Sequence, residues 1–549
     1  MTPIAVSEGP PVSTLRDPIR DGLARGWKVF GGPHTPAPEA LTCDVAIVGS
    51  GAGAGITAEL LTAAGLSVVI VEEGPLRSSS DFRQLESDAY PQLYQESANR
   101  KTADKAINIL QGRCVGGSTT VNWTSSFRTP STTLAFWRER YALPEMSDEQ
   151  LLPWFLQAER RLSIGPWLAA PNSNNELLRK GAARLGIPAA AIQRNVRGCW
   201  NLGSCGLGCP TNAKQSMLVT CLPAALDRGA TLLVQTQAHQ LEWANDGRVS
   251  AIVCAPVQVN GAAATGARTR IKAKHFVIAG GAINTPALLM RSAARDPHAL
   301  LGKRTFLHPV AVSTAVFDER IEGWLGAPQT LYTDHFLEID AIDGPIGFKL
   351  EAPPLYPVIS SIALPGFGRA ESAKLKSFAH SHALLALLRD GFHEQASGGS
   401  VRLRSDGSAL LDYPLTDFIF DGARRAFLAM AEIQFAAGAR NAMPAHEMAA
   451  PYTSWAQAKA AINGLPMKAY LTRILSAHVM GGCAIAGREE IGVLRPDGVH
   501  WQVDNLSVHD GSIFPTSIGA NPQLSIYGVV NKLATALAKR LSGRDVQLA

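Results

Sequence analysis

The sequence predicts an α/β fold: a Rossmann-like dinucleotide-binding domain assembled from discontinuous segments, plus a substrate-binding domain centred on an antiparallel β-sheet. Three observations predict it. Residues 44–74, DVAIVGSGAGAGITAELLTAAGLSVVIVEEG, read as strand, glycine turn, helix and strand. Residues 274–292 again give an apolar strand, a Gly280-Gly281 turn and a helix, as in a second parallel unit. From about 310 to 465 the pattern changes to short alternating strands and loops, for instance at 311–317, 347–350 and 401–403.

In the first unit, residues 45–48 and 68–71 are short apolar runs suited to strands buried on both faces. Gly49 lets the chain reverse sharply. Gly51 leaves room for a pyrophosphate to approach the backbone, with Ala52 and Gly53 continuing the turn into the helix. The free N–H groups and positive end of that helix suit phosphate. The third position of the G-x-G-x-x-G pattern is Ala54, an accepted variant. Glu72 lies 23 residues beyond Gly49, where an acid accepts hydrogen bonds from an adenosine ribose. FAD and NAD both satisfy this pattern.

A chain of 549 residues suggests about three or four domains. A net charge of +5, without basic clusters interleaved with aromatics, gives no case for nucleic acid. The first 22 residues lack the basic start and apolar core of a signal peptide, so a cytoplasmic protein is expected. No apolar run reaches the roughly 18 residues of a membrane span. The best amphipathic candidate, residues 382–388 (HALLALL), reads as a core or interface helix; peripheral membrane association stays open. Eight cysteines in so long a chain do not make a disulfide scaffold.

Residues 1–42 are Pro-rich and read as a surface extension. A second glycine cluster follows at 112–123. There Arg113, Gly116, Gly117, Ser118, Asn122 and Trp123 combine small residues, which let backbone lie against a flat ligand, with free donors. Residues 150–195 read as helices. Residues 231–238 and 249–253 read as paired strands around an Asn245-Asp246-Gly247 turn. The dinucleotide domain is thus expected over 43–149, 196–310 and 470–549, and the substrate domain over 150–195 and 311–469. Near the C-terminus come His478 in SAHVMGGC, a short strand at 506–508 followed by Asp510-Gly511, and Asn521-Pro522 opening a long amphipathic helix.

The stretches 48–74, 112–122, 280–292, 477–483 and 504–530, in this order and over nearly the whole chain, resemble those of the glucose–methanol–choline (GMC) oxidoreductases, which are FAD enzymes. The resemblance implies the two-domain GMC fold and transfer of a hydride from an alcohol carbon to flavin N5. It implies that His478 acts as base beside Asn521, and that Asp510, with Gly511, Pro522 and Gln523 nearby, lies at the cofactor. Ala238 matches a backbone contact to adenine. Electrons would pass to oxygen, a quinone or an acceptor protein. The same fold also hosts lyases that use FAD without net redox, which is the alternative reading.

A neutral histidine can take a hydroxyl proton near pH 7, and an asparagine amide can hold the alcohol oxygen. The helix starting at Asn521-Pro522 would turn its positive end toward the flavin. His308, His500 and His509 read as loop or core residues, and no feature selects Glu351 or another acid as an assistant. Cys199, Cys205 and Cys209 have the spacing C-x5-C-x3-C-P, which resembles that of GMC sugar dehydrogenases carrying a [3Fe-4S] cluster; a Cys-rich structural loop is the other reading. A small-molecule alcohol, medium or large and mostly apolar or aromatic, is the expected substrate.

Overall fold

The computed structural model describes residues 15–548. Two layers of sheet organise them. In the first, a nine-stranded sheet, the central strand Ala40–Val48 pairs in parallel with Val68–Val71 on one side and Thr269–Ile278 on the other. Thr231–Leu233 extends the sheet beyond Val68–Val71, and Val503–Val508 pairs in parallel with Thr269–Ile278. The register sets Val48 beside both Val71 and Ile278, and Ile278 beside Val508. Four parallel strands therefore end at one level, and their connecting loops rise together from that edge. The strands are nearly continuous apolar runs because helices cover them: Val45, Ala46, Ile47, Ile70 and Val277 are fully buried. The helices Ala52–Ala63 and Gln523–Ser542 pack on each other over this sheet.

The second sheet, also nine-stranded, is largely antiparallel. Its centre is Val310–Val316 against Ser381–Leu388, followed by Phe348–Glu351 and Leu331–Thr333. The long helix Asp417–Ala437 lies against it. Thr416 caps its start by accepting from the Ile419 N–H, and Gly438 ends it in the left-handed conformation. Phe427, Met430, Leu384 and Leu388 fill the space between.

Several expectations change here. Residues 382–388 form a strand rather than a helix: a short apolar run has no periodicity that separates a buried strand from a buried helix. Part of 1–42 lies outside the described residues, but Lys28–Phe30 is an edge strand paired with Thr231–Leu233, not a surface appendage. Residues 231–238 do not form one strand. Thr231–Leu233 runs in the parallel sheet, and Thr236–Trp243 begins the antiparallel pair with Val249–Pro256. Helix Asp148–Arg161 packs on Gln523–Ser542 in the first core, whereas Ile474–Ser476 joins the second sheet.

Phe427 is fully buried between helix and second sheet. Phe427→Ala should lower the unfolding free energy by about 3–5 kcal/mol, read from the shift of the urea midpoint.

Candidate active site

A cleft of about 420 Å³ opens where the parallel strands end and runs toward the second sheet. Gly49 begins its wall with φ +94°, and a side-chain carbon there would meet the Ala279 carbonyl oxygen at 2.2 Å, so only glycine fits. Helix Ala52–Ala63 starts at Gly51 with no side-chain cap, which leaves its first N–H groups for a ligand at Gly51, Ala52 and Gly53. The second glycine loop presses against this turn: a side-chain carbon on Gly117, at φ +55°, would lie 2.8 Å from Gly51 Cα.

Ser50 joins the two loops. Its hydroxyl donates to Glu72 Oε2 at 2.6 Å and accepts from the Gly116 N–H at 3.0 Å, while its own N–H donates to the same carboxylate oxygen at 3.1 Å. Glu72 Oε1 accepts from the Gly74 N–H at 2.8 Å. Glu72, expected at the ribose, lines the cleft but also braces the turn, and burial pushes its carboxyl up to about 7. Its neighbour Glu73 accepts from Gln95, from Gln237 at 3.2 Å and from Asn284 at 3.5 Å. Arg113 donates to the Glu73 carbonyl at 3.2 Å and to the Val259 carbonyl. The Ala238 carbonyl accepts from Arg291 at 3.3 Å. Ser118 Oγ accepts from the Gly112 N–H at 2.9 Å, and the Trp123 indole lies against Gly206.

Toward the other end, Asp510 ties two loops together. Oδ1 accepts from Ser512, and Oδ2 accepts from the Gly281 N–H at 2.8 Å and Thr285 Oγ1 at 2.5 Å. Burial raises its carboxyl, and those four donors oppose the rise. Gly511 and Pro522 line the cleft. Gln523 Oε1 accepts from Asn122 at 2.6 Å, while its Nε2 donates to the Ser125 carbonyl, Ser126 Oγ and Asn195. Glu96, Thr124 and Gln329, all on the cleft wall, are non-glycine residues held at positive φ.

His478 and Asn521 both face this cleft. Ser476 Oγ accepts from the His478 N–H at 3.3 Å, and burial, then the Lys349 charge, lowers the His478 imidazole to about 4. Its Nδ1 lies 3.3 Å from Nδ1 of His308, a fully buried ring whose Nε2 accepts from the Gly519 N–H at 3.0 Å. Neutral His308 therefore carries its proton on Nδ1 and offers it to His478. The sequence pattern reads His308 as loop or core; it is core, but core in contact with His478. Asn521 does not cap the helix as its type suggests. Helix Gln523–Ser542 begins after Pro522 with no side-chain cap, and Asn521 Nδ2 instead donates to Glu351 Oε2 at 3.3 Å. Burial raises the Glu351 carboxyl and lowers the Lys349 ammonium, and the two charges partly offset this.

The cysteine loop forms no ligand set: among the described residues no three Cys, His, Asp or Glu side chains stand around a common metal position. Cys199 accepts from the Asn201 N–H, Cys205 contacts Arg194, and Cys209 contacts Thr211. Nothing in the sequence marked Ser50, Glu73 or Lys349. Ser50 is the variable position of the glycine motif, and the other two matter only through contacts made across the fold.

Ser50→Ala should cost about 1–3 kcal/mol in urea denaturation, because it strips a donor from buried Glu72 and an acceptor from the Gly116 N–H.

Family models of the GMC oxidoreductase N- and C-terminal domains match residues 90–310 and 395–529. The chain is 28% identical over 513 residues to an uncharacterised GMC-type oxidoreductase of Sinorhizobium fredii, covering 93% of this chain and 97% of that one. It is 26% identical to a long-chain-alcohol oxidase of Arabidopsis thaliana, covering 91% and 68%. Among solved structures, pyridoxine 4-oxidase from Mesorbium loti superposes with a TM-score of 0.66 at 17% identity, covering 90% and 98%. A formate oxidase variant from Aspergillus oryzae gives 0.67 at 15%, covering 92% and 99%. A strand-end cleft, two interlocked glycine loops and a match over both halves of the chain lead to one assignment: the chain belongs to the GMC oxidoreductases, a family of FAD flavoproteins.

Proposed function

We propose that the protein oxidises a CH–OH group of a small-molecule alcohol, with His478 as base and Asn521 holding the alcohol oxygen. The observation that carries this is a single cleft with phosphate-suited N–H groups at one end and His478 with Asn521 at the other. FAD, when bound, supplies N5 as the hydride acceptor and passes the electrons on to oxygen, a quinone or another acceptor. The chain's part is to bind and orient. The N–H groups at Gly51, Ala52 and Gly53 and around Gly117 and Ser118 suit the pyrophosphate. Glu72 and Ala238 would hold the adenosine, Asp510 the ribityl–phosphate part, and Arg113, Gly511, Pro522 and Gln523 other parts of the cofactor. The uncapped start of helix Gln523–Ser542 offers partial positive charge where negative charge develops.

His478 takes the hydroxyl proton on the nitrogen facing the cleft. Its ring proton must then sit on Nδ1, so the 3.3 Å contact with His308 has to open. Asn521 has two N–H bonds on Nδ2 and spends one on Glu351. Ala477, Val479 and Ile526 are apolar residues of the cleft wall. Together with the long-chain-alcohol oxidase relative, they support a medium or large, mostly apolar alcohol as substrate.

His478→Ala should retain FAD, read from the visible spectrum, yet lose anaerobic flavin reduction by about 10³-fold or more. Wild-type reduction in that variant would remove the base assignment. A flavin that stays oxidised in the wild-type enzyme across a panel of turned-over substrates would instead favour the lyase reading. The pH profile gives a second test. The base must be neutral, and burial holds His478 near 4 rather than at the ordinary histidine value. The reduction rate should stay flat as pH falls through 6.5 and decline only near 4.

A further inference from the structure

Glu351 ends the strand Phe348–Glu351 of the second sheet and is fully buried. Its Oε2 is held between two amide donors, Asn521 Nδ2 at 3.3 Å and Gln329 Nε2 at 2.5 Å. Gln329 belongs to the cleft wall and sits at φ +49°, so its backbone is strained into the place from which it reaches Glu351. Lys349, two residues back and on the same face of the strand, puts its ammonium 2.9 Å from the centre of the Phe127 ring and 4.3 Å from that of Tyr332. Glu351, Gln329 and Lys349 have no part in the proposed reaction as stated above.

An asparagine amide has two ends of nearly equal shape and opposite hydrogen-bonding character. Turned over, Asn521 would offer an acceptor where the alcohol oxygen needs a donor. Among the described residues its buried Oδ1 has no partner, so no bond from that side holds the orientation. Among them, the acceptor at Glu351 is what chooses between the two ends. We propose that Glu351 is a positioning residue for alcohol oxidation: by accepting one Asn521 N–H at Oε2 it fixes the amide so that the second N–H serves the alcohol oxygen. This rests on the proposed function and adds a residue that the family motifs do not contain.

The test combines variants of Glu351 and Asn521 in the FAD-loaded enzyme, measured by anaerobic flavin reduction with an apolar primary alcohol. Glu351→Met keeps the volume and removes the acceptor. It should lower the limiting reduction rate about 10- to 100-fold while changing the apparent substrate affinity less than about threefold. Glu351→Gln, which can still turn a carbonyl oxygen to Asn521, should stay within about threefold of wild type. In an Asn521→Ala background Glu351→Met should have no further effect, within about twofold, because the residue acts through the amide. A crystal structure of Glu351→Met should show the Asn521 amide reversed or displaced. If the Met variant does not fold, Glu351→Asp, which withdraws the acceptor by one methylene, replaces it with an expected loss of about tenfold. The proposal is overturned by full activity in the acceptor-removing variant, by an undiminished effect in the Asn521→Ala background, by a Gln variant as slow as Met, or by an unmoved amide. Wild-type flavin reduction in His478→Ala would defeat the functional reading instead, so the two failures are separable.

Discussion

The contact between Ser50, Glu72 and the Gly116 N–H is what the cleft depends on. Two glycine-rich loops from distant parts of the chain must lie almost backbone to backbone, with Gly117 over Gly51, to leave room for a flat ligand. Loops this bare have little side chain with which to hold each other. The Ser50 hydroxyl supplies the link, because it donates to a buried carboxylate and accepts from the opposite loop at once. Glu72 is costly to bury, and three donors from Ser50 and Gly74 offset that cost. The carboxylate is therefore both a wall of the cleft and the anchor of its turn.

The same arrangement recurs along the cleft. Asp510 closes the helix Gly281–Arg291 onto the C-terminal strand by accepting from Gly281 and Thr285 as well as twice from Ser512, and Glu351 closes the second sheet onto Asn521 through two donors. Each acid sits at a junction between segments that are far apart in sequence. A buried acceptor with several fixed donors makes a stiff joint, because moving any one segment leaves polar groups unsatisfied. Groups aimed at a reacting centre from such joints need little reorganisation when charge develops.

What the sequence made legible follows from how local each signal is. The turn at Gly49 and the strands beside it are set by neighbours in the chain, so the parallel sheet and its strand-end loops could be read directly. His478 and Asn521 stand in the order that the GMC resemblance implies, and the fold brings both to one cleft. The part that could not be read is the pairing. Residues 382–388 carry no periodic signal to mark a strand, and residues 28–30 are too short to announce one; tertiary partners decide both. Asn521 has the residue type of a helix cap, yet a buried acid 170 residues away takes its amide.

This last case bears on how the two sheets make one site. The Gly49 turn rises from the first sheet and the 112–122 loop follows the strand Ile107–Ile109 of the second, while Glu351, Lys349 and Gln329 come from the second sheet or the loop leading into it. His478 stands between them, two residues beyond the strand Ile474–Ser476 of the second sheet and two before Met480–Gly481, which pairs with Lys303–Phe306. His308 follows that same Lys303–Phe306 strand and precedes Val310–Val316. The two histidines thus lie where the chain passes between the second sheet and the separate four-stranded sheet that contains Lys303–Phe306 and Met480–Gly481, and their mutual contact is made there.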